Sequence, residues 1–117
     1  MRPTEINLSA DHRLLTLSYE DGTEYAMTAE YLRVYSPSAE VRGHGPGQEK
    51  LQVGKENVYI TDIEPTGHYA VKLVFSDKHD SGIYDWNTLY DLGVNQEQYW
   101  ADYLARLAEA GHERKTN

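Results

Sequence analysis

The spacing of apolar residues changes once along this chain, and that change limits the fold more than any other feature. Up to Trp86 apolar residues recur mostly at every second position, the repeat of a half-buried strand, whereas after Asn95 they recur three and four apart, the repeat of a helix. Ile6 and Leu8 alternate with polar residues, and Leu15-Thr16-Leu17-Ser18-Tyr19 does so again. Asp21-Gly22 supplies hairpin turn chemistry, because glycine accepts a positive φ, and Thr23 to Thr28 alternates once more. Residues 5–28 therefore predict a three-stranded antiparallel meander.

Residues 29–35 place Leu32 and Tyr35 three apart and Tyr31 and Tyr35 four apart, which predicts two turns of helix. They stop at Ser36, since the proline after it disfavours helical geometry. Residues 42–50 hold three glycines and a proline and read as a loop. A second strand system follows: 58–64, then turn chemistry at Pro65-Thr66-Gly67, then the apolar run 69–75 at the sheet centre, a turn at 77–80, and a short strand at 81–86. Asp85 can cap a helix over 86–92 with Gly93 just past its end. Asn95 reads as the N-cap of the last helix, 96–110, with Gln98 reaching back and Val94 stapled against Tyr99. Its apolar stripe is Tyr99, Trp100, Tyr103, Leu104, Leu107 and Ala108, and Gly111 ends it. The expected fold is α+β: a mostly antiparallel sheet of five or six strands with a short middle helix and C-terminal helices packed on one face, a two-layer sandwich. One monomeric domain over 1–111 with a frayed tail at 112–117 accounts for all 117 residues.

Charge and composition narrow the functions. Eleven Lys and Arg against 19 Asp and Glu give a net charge of −8, which repels a phosphate backbone, so nucleic acid is not an expected partner. There is no cysteine, which removes disulfides, a thiol nucleophile and thiolate-held metal sites. No apolar run reaches the roughly 18–20 residues of a membrane span, and the first residues lack a signal-peptide core, so the expectation is a cytoplasmic chain without membrane contact.

Catalytic patterns are weak. His12, His44, His68, His79 and His112 are scattered singly, and the denser Asp77-Lys78-His79-Asp80 group reads as a turn rich in aspartate. The Gly43-His44-Gly45-Pro46-Gly47 loop has no Gly-Lys-Ser/Thr ending and follows no apolar strand, so it is no phosphate cradle. Ten tyrosines and two tryptophans predict core packing with the hydroxyls at the surface.

Residues 31–44, from Tyr31-Leu32-Arg33-Val34-Tyr35-Ser36-Pro37-Ser38 through Arg42-Gly43-His44, and residues 79–86, His-Asp-Ser-Gly-Ile-Tyr-Asp-Trp, carry a resemblance. The chain resembles the gamma-butyrobetaine hydroxylase-like N-terminal domain family from about Leu14 to about Leu107. In the hydroxylases that resemblance brings a dioxygenase domain, for which this chain has no room, and a structural zinc held by three cysteines and a histidine. Those ligand positions fall here on Ser36, Ser38, Val41 and His79, so the resemblance implies a vestigial corner, no metal and no cofactor. It further implies the free-standing bacterial form, with related domains fused behind P-loop iron–sulfur carriers. The resulting expectation is a non-catalytic accessory domain whose partner is a protein, such as a P-loop iron–sulfur carrier, bound through Arg33, Arg42, His44, His79 and Asp80. The architectural alternative pairs Arg33 and Arg42 with Glu30 and Glu40. A third class is a metal-binding or oxidoreductase-associated protein using His44, His79 and Asp80.

Overall fold

A computed structural model describes residues 1–43, 45 and 47–115. The first three strands are β1 (Glu5–Leu8), β2 (Leu14–Ser18) and β3 (Glu24–Thr28). They form the predicted meander in the order β1-β2-β3, with Leu15 opposite Met27 and Leu17 opposite Tyr25. The chain then enters α1 (Ala29–Val34), capped by the Thr28 hydroxyl accepting from the Tyr31 N–H, and a short α2 (Ala39–Arg42). A second meander follows, β4 (Ile60–Thr66), β5 (Ala70–Phe75) and β6 (Gly82–Asp85), before α3 (Trp86–Val94) and α4 (Gln96–Glu109).

The α+β class holds, but the expected single sheet of five or six strands does not: there are two three-stranded antiparallel sheets. β2 and β5 each have both edges occupied, so a joined sheet would need two outer strands to pair. The outer strand β4 carries Asp62, Glu64 and Pro65, which suit an edge left in solvent. Instead the sheets meet at one point, where the Ile60 N–H donates to the His12 carbonyl at 2.9 Å and His12 Nδ1 lies 2.9 Å from the Ile60 carbonyl. Both sheets, α1 and α3 share one core, against which α4 packs Tyr99 and Trp100, while Tyr103 and Leu107 of α4 form a smaller cluster with Val34. Leu15, Leu17 and Met27 come from the first sheet, Ile60, Leu73 and Phe75 from the second, and Tyr31, Leu32 and Leu89 from the helices.

Several local readings change. The turn after β4 lies later than expected, since Pro65 and Thr66 still pair with Val71 and Ala70 and the chain turns over residues 67–69, with Gly67 at φ +54°. Asp85 caps α3 as predicted, accepting from the Thr88 N–H at 2.7 Å. Asn95 caps nothing with its side chain; its amide donates to Asp91, Gln98 bonds Asp102 instead of reaching back, and Val94 is exposed. Several tyrosine hydroxyls also turn inward, while Tyr59 and Tyr69 are exposed. Those of Tyr31, Tyr84 and Tyr103 donate to the carbonyls of Leu92, Leu32 and Gln52, each at 2.6 Å, so single side chains tie helix to helix and strand to helix. Residues 112–115, expected to fray, are held: Arg114 makes a two-pronged ion pair with the buried Glu30 carboxylate and lies over the Trp100 ring. Residues 116–117 lie outside the described residues.

Candidate functional site

The two segments that carry the family motif meet at the end of α1. Pro37 stops the helix, Ser36 and Ser38 flank it, and β5 ends in a turn that delivers His79 to the same corner. Ser36 Oγ lies 2.9 Å from His79 Nε2 and accepts from the Ser38 N–H at 3.2 Å. Ser38 Oγ caps α2 through the Glu40 N–H and lies 2.7 Å from Ser81 Oγ. Gly82 is required beside them, because a Cβ there would stand 2.6 Å from Ser36 Oγ. Ser36, Ser38, Val41 and His79 are all buried.

The chemistry of this corner is neutral. Burial, then the nearby Arg33 guanidinium, holds the His79 imidazole below its ordinary pKa, and the Glu40 and Asp77 carboxylates offset only part of this. Glu40 Oε2 stands 3.3 Å from His79 Nδ1, near enough to pair with an imidazolium but out of line for a hydrogen bond, so Nδ1 is a buried atom without a hydrogen-bond partner. A structural zinc does not fit this donor set. Two hydroxyls already committed to neighbours and a valine stand where the three thiolates would be, and the one remaining ligand, the His79 imidazole, has its Nε2 facing Ser36. Among the described residues no three His, Cys, Asp or Glu side chains converge as metal ligands.

The other candidate residues divide. Arg33 is buried and committed: its Nε donates to Asp77 Oδ2 at 2.9 Å and its Nη1 to Gln52 at 3.1 Å, while Lys55 reaches the same Asp77 oxygen at 2.7 Å. It does not pair with Glu30, whose partner is Arg114. Burial pushes the Asp77 carboxyl up, but the Lys55 hydrogen bond, the Arg33 charge and the His79 N–H together carry it below the usual range. Asp80 and Arg42 are exposed, and among the described residues Arg42 has no ion pair with Glu40 or any other carboxylate. His44 lies outside the described residues.

Sequence reasoning missed a groove beside the corner. It holds about 480 Å³ between α2, the ends of α1 and α3, and α4, with Val34, Val41, Leu92, Tyr35 and Tyr99 on its walls and Arg42, Lys50 and Arg106 around it. Arg42 was singled out as a cation, but Arg106 lies 64 residues further on and no local pattern links the two.

The molecule is thus a small two-sheet α+β domain whose corner is held by serine hydroxyls and one imidazole through hydrogen bonds. The chain belongs to the gamma-butyrobetaine hydroxylase-like N-terminal domain family, whose profile matches residues 6–90. Among solved structures it is similar to a protein determined by NMR in solution, 49% identical with a TM-score of 0.84 over 99% of this chain and 91% of that one. It is also similar to a crystal structure of a protein of unknown function of the DUF971 family from Acidithiobacillus ferrooxidans, 36% identical with a TM-score of 0.65 over 79% of this chain and 92% of that one. No curated protein matches. Among the described residues no helix is long and apolar enough to cross a membrane.

Proposed function

We propose that this chain is a non-catalytic interaction domain, an accessory to iron–sulfur or iron-enzyme assembly, which docks a P-loop iron–sulfur carrier through α2 and the 79–81 turn. One observation carries the reading. Two segments 43 residues apart are locked into a single surface by the Ser36–His79 and Ser38–Ser81 hydrogen bonds, while the one group there capable of proton transfer at neutral pH is buried and neutral. A rigid, pre-organised face lowers the ordering cost of association, and an inward-facing histidine performs no chemistry on a substrate. The choice of carrier as partner rests on the resemblance of this domain to those fused behind such proteins, which is an argument by analogy. Glu40 and Asp80 are exposed beside the corner and would meet a basic patch on the partner.

Calorimetric titration of the full chain with a purified P-loop iron–sulfur carrier tests this. Saturable binding is expected at micromolar concentrations, weakened about tenfold or more by Asp80→Lys, since reversing a contact charge costs of the order of 1.4 kcal/mol. No heat up to about 100 μM carrier, far above the dissociation constants of specific complexes, would remove the carrier as partner. Equal binding by wild type and Asp80→Lys would move the contact surface elsewhere.

A further inference from the structure

The geometry points to the groove between α2 and α4 as a binding site for a small organic acid bearing one carboxylate on an apolar or aromatic body. Its cations come from separate elements: Arg42 from the end of α2, Lys50 from the following loop and Arg106 from α4. All three line the same groove, on whose wall the Tyr35 and Tyr99 rings lie 5.6 Å apart. Among the described residues none of the three cations has a carboxylate within ion-pair distance. In a chain of net charge −8, three cations gathered around one groove run against the overall charge.

The size and charge of the groove select the ligand class. About 480 Å³ lies within the range of small-molecule sites, roughly 300–1,000 Å³. Glu49 and Asp91 also line it, so three cations face two carboxylates and one positive charge is unmatched. Asp91 is already engaged by the Tyr99 hydroxyl at 3.1 Å and by Asn95 at 2.8 Å, which fixes its charge on the wall. A single carboxylate answers that balance, while a phosphate dianion or a run of acidic side chains meets repulsion from Glu49 and Asp91. Val34, Val41, Leu92 and the tyrosine rings offer apolar contact for the rest of the ligand. The site shares Val41 and Arg42 of α2 with the proposed protein-contact face and does not depend on that reading.

The test is an amide chemical-shift titration of the full chain with three probes: phenylacetate, its uncharged amide phenylacetamide, and inorganic phosphate. Phenylacetate is expected to produce saturable shifts at Tyr35, Arg42, Lys50, Tyr99 and Arg106, with neither other probe doing so. Arg42→Ala, at an exposed position, and Arg106→Lys, which keeps the charge but loses the planar fork, should each weaken phenylacetate about tenfold while leaving the remaining spectrum in place. Absence of saturable shifts at the groove would overturn the site. So would equal shifts from phenylacetamide or phosphate, or unchanged affinity in both variants. Because no carrier protein is present, these outcomes are independent of whether the carrier binds.

Discussion

Gly93 sits inside α3, not beyond its end, because the helix runs one residue past it and its Cα presses on the Tyr25 ring. A Cβ at that position would stand 2.6 Å from Tyr25 Cγ and Cδ2. The ring cannot retreat easily, since Tyr25 packs edge-on against Tyr19 at 5.8 Å and Tyr90 at 5.9 Å. Gly93→Ala therefore sets a helix-propensity gain of up to about 1 kcal/mol against overpacking of about 1–3 kcal/mol. Sterics win: the expected result is a net loss of about 1–2 kcal/mol, read as a lower urea midpoint with an unchanged denaturant slope. An unchanged or higher midpoint would show that the tyrosine trio can shift. The same residue shows what sequence conveys at this scale. A glycine after an apolar helical run signals a helix end when only local text is read, and the ring that requires it lies 68 positions earlier. Gly111, which has no such distant neighbour and takes φ +78°, ends α4 as its local context predicts.

Elements were legible where their signals were local. The alternation of β2 and β3 and the Asp85 cap survive in the structure, whereas of the expected α4 stripe Tyr103 and Leu107 are buried, Tyr99 and Trp100 half-buried, and Leu104 and Ala108 exposed. The pairing of elements was not legible, because alternation fixes which face of a strand is buried but not which strand lies beside it. Hence five or six strands were expected, while the division of the six observed strands into two sheets was not. The candidate site divides in the same way: the family motif located the Ser36–His79 corner, while the buried bond from Arg33 to Asp77 and the groove cation Arg106 depend on contacts far apart in sequence. Another such contact anchors the chain's end. Glu30 on α1 is 6% exposed and is met by both Arg114 prongs at 2.8 and 2.6 Å. Removing one partner of a buried pair leaves the other charge stranded, at about 3–5 kcal/mol for full burial. The Arg114 side chain is 31% exposed, so water offsets part of that loss and about 1–3 kcal/mol is expected for Arg114→Ala. A double-mutant cycle with Glu30→Gln in urea should show positive coupling, and additive losses would mean that the tail contributes nothing through this pair.

Among the described residues His79 is the one buried imidazole, and the molecule as a whole places it where the two motif segments join, so its acid stability is tied to that corner. Ser36 Oγ faces His79 Nε2, Glu40 faces Nδ1 without a hydrogen bond, Asp77 accepts from the His79 N–H at 3.3 Å, and Arg33 is close enough to oppose a second positive charge. Burial and Arg33 hold the folded-state pKa below the ordinary 6.5. As pH falls through about 6.5 the unfolded chain takes up a proton that the folded chain refuses, so the unfolded state gains relative stability. The contribution of neutral His79 is thus fully present above about pH 6.5 and is lost progressively below it until the folded-state pKa is reached, with a slope of at most about 1.4 kcal/mol per pH unit for one proton. Asp77 obeys the same sign in a lower window. Its folded pKa is depressed, so its stabilisation persists down to the ordinary carboxylate range near 3.9 and is lost as pH falls through the folded value. Melting curves between pH 5 and 8 therefore isolate the histidine. The wild type should lose thermal stability steadily from pH 7 to pH 5, whereas His79→Gln, similar in size and able to keep a hydrogen bond to Ser36, should start lower at pH 7.5 and fall less steeply. Parallel curves for the two proteins would place the pH dependence outside this corner.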